Sequence, residues 1–92
     1  FIIGCFQAKL KRVEIVSGAG AEVLREYAAE GFDTLITGEP RQFAYHFARE
    51  HRLNVIFAGH YATETLGIQN LAQAIADKFS VTWQFIDHPT GI

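Results

Sequence analysis

Two side chains able to bind a metal stand four positions apart in the stretch Gly59-His60-Tyr61-Ala62-Thr63-Glu64. That stretch follows the apolar run Val55-Ile56-Phe57-Ala58 and opens the segment with the clearest helical pattern in the chain. With a helix starting at His60, the imidazole and the Glu64 carboxylate fall on one face, about one turn apart. A neutral imidazole and a carboxylate at that spacing can share a divalent ion. The same His-x-x-x-Glu spacing also occurs in helices that bind nothing, so the motif alone leaves both readings open.

Other polar positions carry weaker signals. Glu39 lies in Gly38-Glu39-Pro40 just after a strand-like run, where it either serves a site or favours the positive end of the next helix. Ser17-Gly18-Ala19-Gly20 offers backbone N–H groups near a helix start but lacks the third Gly of a dinucleotide fingerprint and the Gly-Lys-Ser/Thr of a P-loop. It reads as a plain tight turn. His46 and His51 are five apart, about 140° around a helix, which unsuits them as a shared metal pair. Asp87-His88 reads as a turn after the last apolar run.

The elements that must position these residues follow from composition and periodicity. The chain has 92 residues, 49% of them hydrophobic and eight of them Phe, enough for one small folded domain over 1–92. A net charge of −2 supplies no broad basic face, and Lys9, Lys11 and Arg12 form only a local cluster. Nucleic acid is therefore not expected as the main partner. The one cysteine, Cys5, permits no internal disulfide or multi-cysteine zinc site and fits a reducing cytoplasm. The opening Phe1-Ile2-Ile3-Gly4-Cys5-Phe6 lacks a basic lead and is far shorter than the roughly 20 residues of a membrane span. It reads as a buried strand, and a start that resembles the inside of a fold points to part of a longer protein.

Strand-like and helical runs alternate along the rest. Residues 13–16 are β-branched, residues 21–30 helical, 33–37 a strand, 40–52 a helix with Phe43, Ala44 and Phe47 inward, and 53–58 a strand covered on both faces. The helix beginning at His60 is expected to turn Leu66, Leu71, Ile75 and Phe79 inward and to stop near Ser80, and the alternating residues 81–86 predict a final strand. This order implies right-handed crossovers and an α/β fold with a mainly parallel central sheet and flanking helices in three layers. Residues 17–20, 37–39 and 59–64 would then emerge together beyond the carboxyl ends of the strands, where such sheets bind ligands.

Taken in order, Ser17-Gly18-Ala19-Gly20, Ile36-Thr37-Gly38-Glu39, Ala58-Gly59-His60-Tyr61-Ala62-Thr63-Glu64 and Phe85-Ile86-Asp87-x-Pro89 resemble the carboxy-terminal half of the YbgI-type, NIF-three-like family. These are dinuclear-metal-centre proteins known as GTP cyclohydrolase type-two homologues. The resemblance covers about residues 12–89 and rests on four motifs together. It implies that His60 and Glu64 are two ligands of a pair of divalent metals, with zinc, manganese and iron all admitted. The family's other ligands, a His-His pair and an Asp, belong to an amino-terminal half that this sequence does not contain. Glu39, in the family's Thr-Gly-Glu loop, becomes the candidate catalytic residue, a group behind the ligands or a proton shuttle rather than a ligand. Many members place a His four residues after that Glu, whereas this chain has Phe43 there and a His at 46. The usual ending Asp-Ile-Pro-Asn-Pro is replaced by Asp87-His88-Pro89-Thr90-Gly91.

The resemblance implies metal-assisted hydrolysis of a small nucleotide-like substrate, or else a non-catalytic regulatory or scaffold protein with a structural metal centre. It also implies a homo-oligomer, a hexamer built as a ring of dimers. Two ligands do not close a metal centre, so the 92-residue chain alone is expected to bind metal weakly or not at all.

Overall fold

The computed structural model describes residues 1–4 and 9–92, and four strands and three helices lie among the described residues. In chain order they are β1 (Ile2–Ile3), β2 (Val13–Val16), a 3₁₀ turn (Gly20–Val23) running into α1 (Leu24–Ala29), β3 (Thr34–Thr37), α2 (Gln42–Glu50), β4 (Asn54–Phe57) and α3 (His60–Phe79). The sheet order is β1-β4-β3-β2. Strands β2, β3 and β4 are parallel, and β1 joins β4 antiparallel. The α/β architecture with a mainly parallel sheet is therefore present. Of the expected opening strand, Ile2 and Ile3 pair with Ile56 and Val55, while Cys5 and Phe6 lie outside the described residues.

Register explains the core. Glu14, Leu35, Val55 and Ile3 align across the sheet, as do Val16, Thr37 and Phe57. Side chains of these rows share one face, because strand residues alternate. Leu35, Val55, Phe57 and Ile3 on that face meet Ala21 and Leu24 from the α1 region and Ala44 and Ala48 from α2 in one buried cluster. Two right-handed crossovers in the same direction place α1 and α2 on the same side, as the shared cluster requires. Phe43 and Phe47 flank the cluster and are half-buried, so Ala44 and Ala48 are the residues of α2 that touch the sheet most intimately.

Two expectations are corrected. Helix α3 has no buried residue, and the expected inward edge of Leu66, Leu71, Ile75 and Phe79 is exposed, Leu66 at 71%. The helix leaves the sheet's rim and projects past it, in keeping with an elongated molecule of 50 × 26 × 22 Å. Its periodicity marks an apolar stripe truly, yet periodicity says nothing about which surface covers the stripe. Residues 81–86 form no strand either. They belong to an extended segment that turns back along α3, with Trp83 Nε1 donating to Gln73 Oε1 at 3.1 Å and the His88 amide donating to Tyr61 Oη at 2.7 Å. Alternation expresses a strand's preference, but a ladder needs a neighbouring strand, and none of the described residues supplies one there. Among the described residues no helix is long and apolar enough to cross a membrane.

Candidate metal centre

The parallel strands end together, so the loops after β2, β3 and β4 converge at one rim. Backbone hydrogen bonds knit them. Ala58 and Gly59 amides donate to Thr37 and Gly38 carbonyls at 2.8 and 2.9 Å, and Gly38 and Glu39 amides both donate to the Gly18 carbonyl at 3.0 and 3.1 Å. The approach is close enough to forbid side chains: a Cβ on Gly38 would collide with that same Gly18 oxygen. Deeper in, Thr37 Oγ1 accepts the Gly20 amide at 2.9 Å, which holds the loop after β2 to the end of β3.

Three expected site residues meet on this rim. His60, the first residue of α3, stands between two carboxylates, its Nδ1 3.2 Å from Glu39 Oε2 and its Nε2 3.2 Å from Glu64 Oε1. The Glu39, His60 and Glu64 side chains are 26%, 35% and 55% exposed, so the group faces solvent from a partly sheltered seat. One nitrogen pairs with a carboxylate from the neighbouring loop while the other turns toward a carboxylate on its own helix. In metal sites a carboxylate beside the far nitrogen orients a ligating imidazole. Glu39 thus faces the opposite nitrogen of the His60 ring from Glu64.

The donor pair fits a divalent ion. With metal–nitrogen and metal–oxygen distances of about 2.0–2.2 Å, donors 3.2 Å apart subtend about 100° at the ion, close to tetrahedral or octahedral angles. The pair is nonetheless incomplete. Among the described residues no three His, Cys, Asp or Glu side chains converge to hold an ion, and zinc takes at least three protein ligands.

The remaining candidates lie apart from this group. His51 Nδ1 donates to the Phe47 carbonyl and the ring stacks on that of Phe47, and His46 meets the Tyr45 ring edge to face. Asp87 Oδ1 accepts the Tyr61 hydroxyl at 2.9 Å, a tie between the final segment and α3. These are packing and turn roles. Two residues of the site were missed in the sequence. Gly18 was read as part of a plain turn, yet its residue is buried and its amide donates to Thr63 Oγ1 at 2.9 Å. Thr63 gave no signal of its own inside a helical pattern.

Comparison with known proteins assigns the family. The sequence model of the family described as Duf34/NIF3 (NGG1p interacting factor 3) matches residues 2–90. The chain belongs to the NIF3 family. It is 49% identical over 83 residues to a Deinococcus radiodurans protein named GTP cyclohydrolase 1 type 2 homolog, covering 90% of this chain and 32% of that protein. A Halobacterium salinarum protein of the same name is 51% identical over 85 residues, covering 92% and 33%. The NIF3-family chain thus spans about a third of the length of these curated relatives. Among solved structures, TTHA1606 from Thermus thermophilus superposes with a TM-score of 0.90 at 38% identity, covering all of this chain and 37% of that one. The protein ybgI gives 0.89 at 33% identity, with 98% and 37% covered.

Proposed function

We propose that this NIF3-family chain forms one side of a dinuclear divalent-metal centre in a hydrolase-like enzyme. His60 and Glu64 are its ligands and Glu39 holds His60 from behind. The observation that carries the proposal is the His60 ring bracketed at 3.2 Å on both nitrogens, on a rim where three loops meet. Stability alone is a poor reason for this arrangement. A partly exposed ion pair contributes about 0–1 kcal/mol, whereas the loops carry a left-handed Gly18 and contacts that only glycine permits.

In the proposed enzyme, Nε2 of His60 and Oε1 of Glu64 would hold the metal, and the Glu39 carboxylate would steady the ring from its Nδ1 side. Two divalent ions so held, zinc, manganese or iron, supply a water of lowered pKa and charge stabilisation at the attacked group. In this reading Glu39 is also the candidate proton shuttle. The names of the relatives point to a small nucleotide-like substrate, and the reading implies a cytoplasmic homo-oligomer, a hexameric ring of dimers. The competing proposal is a regulatory or scaffold protein with a structural metal, which draws on the exposed apolar stripe of α3.

Calorimetric titration of the intact protein with Zn²⁺ and Mn²⁺ tests the ligands. His60→Ala and Glu64→Ala are each expected to weaken binding at least tenfold, and equal binding by all three proteins removes the assignment. Metal-dependent hydrolysis of a nucleotide that disappears in Glu39→Gln supports the enzyme, while metal-dependent assembly without turnover supports the scaffold.

A further inference from the structure

We infer that Thr63 is a positioning residue that sets the Glu39–His60 pairing through the backbone of Gly18. Its hydroxyl oxygen accepts the Gly18 amide at 2.9 Å and donates to the carbonyl of His60 at 3.0 Å. The other side of Gly18 completes the connection, since its carbonyl accepts the amides of Gly38 and Glu39. Glu39 then reaches His60 Nδ1, and His60 lies one turn before Glu64 on the helix that carries Thr63. The contacts form a closed circuit: Thr63, Gly18, the Gly38-Glu39 peptide, the Glu39 carboxylate, His60, and back to Thr63 through the His60 carbonyl. One hydroxyl thereby fixes the loop that bears the orienting carboxylate relative to the helix that bears both proposed ligands.

Only a small hydroxyl at this position closes the circuit. Thr63 Oγ1 is at once acceptor for a loop amide and donor to its own helix, so valine of the same shape would leave the Gly18 amide, on a buried residue, without its partner. The amide would lose its anchor, and the left-handed Gly18, whose carbonyl holds the Gly38 and Glu39 amides, would be less firmly fixed. Loss of the Glu39 contact leaves the imidazole facing only Glu64 on its own helix, so the ring is no longer tied to the loop that bears Glu39.

The part of this inference that concerns metal rests on the proposed ligand role, so the test carries a metal-free arm. In 15N-histidine-labelled intact protein without metal, the ring-nitrogen shifts of His60 are expected to coincide in the wild type and in Thr63→Ser, and to move in Thr63→Val as the ring loses its fixed place beside Glu39. Zinc affinity is expected to fall about tenfold or more in Thr63→Val and to stay within about threefold of wild type in Thr63→Ser. A Thr63→Val protein with wild-type ring shifts and wild-type affinity overturns the inference. So does a wild-type Gly18 amide that exchanges with solvent as fast as an open loop, a readout that does not depend on any variant folding. If His60→Ala binds zinc normally, the ligand assignment fails, and the ring shifts of Thr63→Val still decide the positioning role.

Discussion

At Gly18 one methyl group separates a working rim from a broken one. The residue has a φ of +69°, and a Cβ there would lie 2.6 Å from Glu64 Oε1 and 3.2 Å from His60 Nε2. The left-handed backbone costs a non-glycine residue about 1–2 kcal/mol, a loss that unfolding by denaturant will register in Gly18→Ala. The clash itself is cheap to relieve, since the end of the Glu64 side chain can swing away. Swinging away separates it from His60 Nε2. Gly18→Ala is therefore expected to lose at least tenfold in zinc affinity while remaining folded, and unchanged affinity in a folded variant would mean that Glu64 takes no part. His60 and Glu64 were legible in the sequence because helical spacing alone puts them together. Gly18 and Thr63 were not, because their roles arise from a contact across 45 residues.

Among the elements, the junction ahead of β3 is held by a single carboxylate. Asp33 is buried, its Oδ2 accepting the amides of Lys11 and Arg12 at 2.9 and 3.0 Å and its Oδ1 accepting the Thr34 hydroxyl at 2.8 Å. The Arg12 amide above all, then the Thr34 hydroxyl and Lys11, hold its pKa below the usual carboxylate value against the opposing effect of burial. A depressed folded pKa means stability that is present above the ordinary carboxylate range and drains away as pH falls through the lowered value. Urea midpoints taken between about pH 7 and about pH 3 should decline for the wild type, while Asp33→Asn should start lower and decline less. Parallel curves would show that Asp33 does not couple folding to protons. The strands of the parallel sheet were readable because β-branched and apolar runs between glycines leave few alternatives, as at Asn54–Phe57. The segment over residues 81–86 misled for the opposite reason. Its alternation is real, but hydrogen-bonded pairing depends on a partner that the local sequence does not encode.

The molecule as a whole leaves much apolar surface uncovered. On the sheet face away from α1 and α2, register lines up Ile2, Ile56, Ile36 and Ile15 across all four strands, with Ile2 and Ile15 62% and 69% exposed. Helix α3 adds Leu66, Ile68, Leu71 and Phe79, all exposed. Monomeric proteins seldom leave apolar patches of this extent open to water. Burying one large aliphatic side chain is worth about 1.5–3 kcal/mol, so Ile2 and Ile15 together supply about 3–6 kcal/mol against an association cost of about 4–15 kcal/mol. The isoleucine row by itself falls short. With the stripe of α3 added, burial roughly matches the cost, and the 92-residue chain is expected to associate weakly rather than form a tight complex. Light scattering over a concentration series should show the apparent mass climbing above the 10.3 kDa of one chain, with Ile15→Thr combined with Leu66→Ser restoring the monomer at concentrations where the wild type associates. Should the wild type stay monomeric throughout and bind no hydrophobic dye, these faces are not sticky in water, and the case for a ring built on them would lose its physical basis.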